Sequence, residues 1–172
     1  VATLMEDLIT VLNQEADMYT ELLELAKKKT PIIVKGEVEE LQSITDEEQE
    51  TLAKVEALDK QRTGVMKDIA NVTNRDVNNL KLKDLIQLMD KRPEEHDALA
   101  SVRDRLNTAV SNLKLVNEQN GVLIRQSLDM INFNLALERS MRTGPETGNY
   151  TRYAANAGDI LGGAQGGFDA KQ

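Results

Sequence analysis

The chain of 172 residues carries 21 basic and 29 acidic side chains, a net charge of −8, with no cysteine, no tryptophan and one histidine. This excludes disulfide frameworks and thiolate or multi-histidine metal sites. The acidity also argues against general nucleic-acid binding, which rests on neutralising phosphates with Lys and Arg. Apolar residues make up 40 %, enough for a core, yet no apolar run approaches the ~20 residues of a membrane span. No basic-then-apolar leader stands at the N-terminus, so a soluble cytoplasmic protein is expected.

Apolar residues recur at three- and four-residue spacing almost throughout, the signature of amphipathic helix. The first helix is expected over about 3–29, with Leu4, Leu8, Val11, Met18, Leu22 and Leu25 on its seam and Glu15 interrupting it. Pro31 should stop it, because proline has no N–H to give the preceding turn. A second helix is expected over about 37–72. Its seam is weak, with Thr45, Glu48, Asp59 and Arg62 at core-facing spacing. An Asn- and Thr-rich linker, 71–79, leads to a short helix near 82–91. After Pro93 a long helix is expected to 141, on a seam from Leu99 through Val102, Leu106, Ala109, Leu113 and Val116 to Met141.

The expected fold is therefore all-α, an elongated antiparallel bundle of three long helices and one short one. Residues 1–142 form the helical domain. Residues 143–172 hold seven of the ten glycines and Pro145, which suits a flexible Gly-rich tail. Charge is equally uneven: residues 1–50 hold 13 acids and 4 bases, so all the net acidity lies there. That fits a solvated helix face or a patch that steers a basic partner.

The stretch 113–137 holds 13 apolar residues and four charges, more than one seam requires. Such a helix is either central in a bundle or keeps a face for a partner. Asn120, Ser127 and Asn134 fall seven apart on the seam, as register-fixing or loosely packed positions would. Catalytic chemistry is not legible. His96 sits among Glu94, Glu95 and Asp97 in a polar first turn, no Glu-x-x-His occurs, and the tail glycines make no phosphate loop. No enzyme activity, cofactor or metal is expected.

Leu8, Leu12, Glu15, Tyr19, Leu22, Leu23, Ala26 and Lys27, then Val34, Gly36, Leu41, Ile44, Glu48, Gln49, Leu58 and Arg62, occur in an order that resembles the FlgN family of flagellar type III export chaperones. So does the later run of Asn117, Asn120, Leu123, Gln126, Ser127, Leu128, Ile131, Asn132, Phe133 and Leu135. The resemblance spans nearly the whole chain. It implies a cytoplasmic chaperone without ATPase activity. Such a chaperone holds the disordered termini of hook-associated (hook–filament junction) proteins, prevents early assembly and delivers them to the export apparatus. Client binding would fall on the C-terminal part, at Leu123, Ile124, Leu128, Ile131, Phe133 and Leu135. Tyr150 and Tyr153 would be export-gate docking points. The competing expectation is a coiled-coil adaptor that self-associates through the same stripe, and the sequence leaves monomer and dimer open.

Overall fold

In the computed structural model, residues 2–143 are described, and among them there are helices and no strand. Helix α1 is Ala2–Lys35, α2 is Val38–Val72, α3 is Leu82–Leu88 and α4 is Pro93–Thr143, with a 3-10 turn at Val77–Asn79 before α3. The chain divides into two compact units, residues 1–127 and 128 onward, each described by itself.

In the first unit α1 runs through Pro31 instead of stopping before it. Proline costs the Lys27 carbonyl its helical donor, but Lys27 and Pro31 are both exposed, so water can take that carbonyl. Ile33, two residues on from Pro31, is buried, and its burial favours continuing the helix. Termination comes at Gly36, with φ +72°. The N–H of Gly36 donates to the Ile33 carbonyl (3.1 Å) and that of Glu37 to Ile32 (3.2 Å), a Schellman closure that needs a left-handed residue at this point. The same device ends α2: Asn74 takes φ +52°, and Arg75 N–H donates to the Ala70 carbonyl at 2.9 Å. Asn is the residue after Gly that best tolerates that conformation.

The tight turn at Gly36 sends α2 back along α1. Lys29 Nζ meets Glu48 Oε2 at 2.7 Å, and Arg62 Nε lies 3.4 Å from Glu15 Oε1, so α1 numbering falls as α2 numbering rises. Pro93 then opens α4 at a position where its missing N–H costs nothing. Helix α4 runs parallel to α1: Arg105 bonds Asn13 and Asp17, and Asn120 bonds Ala26 and Thr30. The result is an up–down–up bundle. Its main core joins Met5, Leu8, Leu12 and Ala16 of α1 to Ile69 and Ala70, to Leu80, Leu85 and Met89, and to Leu99 and Val102. The short helix α3 is therefore fixed by burying Leu85 and Met89 in that core.

The second unit, as far as it is described, is the last part of α4. Every residue from Leu128 to Arg142 is exposed. Glu138 and Arg142 pair at 2.5 Å one turn apart, as suits a solvated helix surface. Thr143 is the last described residue, and the rest of the expected tail, with Tyr150, Tyr153 and Phe168, lies outside the described residues.

Candidate functional site

Two surfaces of this fold lack the burial that their residue types call for. The first is the end of α4. Leu128, Met130, Ile131 and Phe133 are 54, 67, 53 and 66 % exposed, and Leu135, Leu137 and Met141 are exposed as well. At 3.6 residues per turn they form two stripes. Leu128, Ile131 and Leu135 share one side, continued by Glu138, Arg139 and Arg142. Met130, Leu137 and Met141 lie on the other, with Phe133 at its edge. The six client-binding residues expected from sequence are thus divided. Ile124 precedes Leu128 by four residues in the same helix and is also exposed. Leu123 is partly buried, and Phe133 turns away from Leu128, Ile131 and Leu135.

The second surface is a groove in the first unit, between α2 and α4 and floored by α1. At one end a cavity of about 260 Å³ is lined by Glu15 and Tyr19 below, Asp59 and Arg62 of α2, and Arg103, Leu106, Asn107 and Val110 of α4, with Leu82 of α3. Toward the other end a cavity of about 290 Å³ is lined by Leu22 and Lys29 below, Glu48 and Leu52 of α2, and Leu113, Asn117, Asn120, Gly121 and Ile124 of α4. The α1 residues follow one helical face, and so do the α2 and α4 residues. Both cavities therefore belong to one trough.

Polar chemistry in the trough is uneven. Asn120 is buried and bonded through both atoms of its amide: its Nδ2 donates to the Ala26 carbonyl at 2.8 Å, and its Oδ1 accepts from Thr30 Oγ1 at 2.7 Å. This ties α4 to the last turns of α1 in one register. Glu15 is the opposite case. It is 3 % exposed, and its Oε1 accepts no hydrogen bond, although Arg62 Nε comes within 3.4 Å. Burial raises its pKa above the usual carboxylate range; Arg62 opposes the shift and Asp59 adds to it. The sequence marked Glu15 only as a break in the α1 seam. The signal that could have located it is the matching pair of breaks in α2, Asp59 and Arg62, which the antiparallel turn brings opposite. His96 is partly exposed, with Nδ1 3.0 Å from Asp97 Oδ1, and belongs to neither surface. Among the described residues, no acid or histidine cluster could hold a metal ion, and no helix is long and apolar enough to cross a membrane.

The family model described as FlgN protein matches residues 4–158. No curated protein and no solved structure matches the chain.

Proposed function

The chain belongs to the FlgN family, whose general role is flagellar export chaperoning, and from that premise we propose that it binds the disordered termini of hook-associated proteins in the cytoplasm, prevents their premature assembly and delivers them to the export apparatus. The observation that carries this reading is the run of exposed apolar side chains at the end of α4, Leu128, Ile131 and Leu135, with Ile124 one turn earlier. Apolar side chains at i, i+4, i+7 and i+11 on a helix are the complement of an amphipathic segment laid along it. A client terminus that is unfolded alone would order on this stripe. The entropy lost in ordering keeps binding releasable, as handover requires. Docking of Tyr150 and Tyr153 at the export gate belongs to the same proposal. Catalysis does not: the exposed stripe offers shape and apolar area and no nucleophile or acid–base pair.

Calorimetry with terminal peptides of a hook-associated protein tests it. Leu128→Asp should weaken binding at least about tenfold, or ~1.4 kcal/mol, with the helical circular dichroism unchanged. Phe133→Asp, on another side of the helix, should weaken it less. Unchanged affinity for Leu128→Asp would remove the stripe from the reading.

A further inference from the structure

The trough between α2 and α4 is long enough for a short helix. Its floor runs from Glu15 to Lys29 on α1, roughly 21 Å at 1.5 Å per residue. Its rims leave Leu52, Val110 and Ile124 exposed at 47, 42 and 37 %. One end is mainly apolar, around Leu22, Leu52, Leu113 and Ile124. The other holds Glu15, Asp59, Arg62 and Arg103, two acids and two bases. What that end lacks is a donor for the Glu15 oxygen, which is buried without a hydrogen bond.

We propose that the trough is the docking site for the α4 end, residues 128–142, of a second copy of this chain. This segment has the same length, roughly 21 Å. It is exposed at every residue. It carries its side chains in the matching order: Leu128, Ile131 and Leu135 first, then Glu138, Arg139 and Arg142 on the same side, two bases to one acid. Laid antiparallel to the α4 that hosts it, the segment sets its leucines over the apolar end. Its arginines reach the end where Glu15 needs a donor. Arg139 and Arg142 each have an interaction in the single chain, with Glu138 in the case of Arg142, and exchange it for the carboxylates of the trough. Two copies related by a two-fold axis make the exchange twice, burying both stripes and both troughs in a closed dimer. The docked stripe is the one assigned above to the client, so the dimer is the resting form of the chaperone, which a client terminus has to open. The inference shares that face with the client reading, but its test contains no client, so either can fail alone.

Sedimentation velocity on the full chain, from low to high micromolar, decides it. The wild type should form a dimer whose population rises with concentration. Leu52→Glu on the trough rim and Leu135→Glu on the stripe both change exposed side chains, so each should keep its helical content and weaken dimerisation at least about tenfold. An equal mixture of the two variants should recover part of the dimer, because one copy then supplies an intact trough and the other an intact stripe. A wild type that stays monomeric throughout overturns the proposal. So does a Leu52→Glu variant that dimerises like the wild type, which would place stripe on stripe. A mixture no better than its components overturns it as well.

Discussion

Residues 99–120 and residues 128–142 belong to the same helix and carry the same kind of three–four apolar pattern, yet they meet opposite fates. Leu99, Val102 and Ala109 are buried at 0, 2 and 7 % exposure, whereas Leu128, Ile131 and Leu135 are about half exposed. Helical periodicity specifies which side of a helix is apolar. It does not specify whether anything covers that side. In residues 99–120 the covering is supplied by the core shared with α1, α2 and α3. In residues 128–142 the apolar side chains stay open. That contrast separates a stretch that holds the molecule together from a stretch free to hold something else.

The sharpest way to break the comparison is to delete apolar volume in each stretch's own surroundings. Leu12 is fully buried in the main core. Leu12→Ala removes apolar burial and leaves a cavity, and should cost about 2–5 kcal/mol. Leu135→Ala, at a position solvated in the single chain, should stay within about 0.5 kcal/mol at protein concentrations low enough to keep the chain monomeric. Chemical denaturation of the two variants measures both. A Leu135→Ala variant as destabilised as Leu12→Ala would mean that the end of α4 is structural, and the case for a binding surface would collapse.

A smaller contrast separates Asn120 from Asn134, two seam asparagines that the sequence presents as equivalent. Asn120 is buried and bonds Ala26 and Thr30, while Asn134 is exposed. Asn120→Ala strips the buried Ala26 carbonyl of that donor and should cost about 1–3 kcal/mol. Asn134→Ala should be close to neutral. Equal thermal shifts for the two would contradict the register role of Asn120.

These pairs also show what was readable beforehand. The all-α class and the helix order follow from spacing, because burying a helix requires one apolar face. Pro31 predicts an earlier end for α1 than the structure has, because the hydrogen bond lost to proline faces solvent and is outweighed by burying Ile33 two residues on. The exposed stripe was legible as an excess of apolar residues over 113–137. Its split into two sides, with Phe133 apart from Leu128, follows from 100° per residue along the continuous helix that the spacing predicts to 141. Glu15 was visible as an irregularity but not as a site. A buried acid is defined by what faces it, and Asp59, Arg62 and Arg103 come from two other helices.

Glu15 gives the smallest expected effect. Its carboxyl is pushed upward chiefly by burial, so the folded protein holds the proton more tightly than the unfolded chain does. The group therefore favours folding at pH below its unfolded value, and that contribution disappears as pH rises through the raised folded value. Glu15→Gln keeps the shape and removes the charge, so the variant should melt above the wild type at neutral pH. The gap should close as the buffer is taken down toward pH ~4, near the ordinary range of a glutamate. Asp59, Arg62 and Arg103 face the same cavity and remain in both proteins. If the trough is filled by a donor from a second copy, the neutral-pH gap should also shrink as protein concentration rises, because the docked arginine then compensates the charge that burial penalises. A gap that depends on pH but not on concentration would leave Glu15 a strained core acid and nothing more.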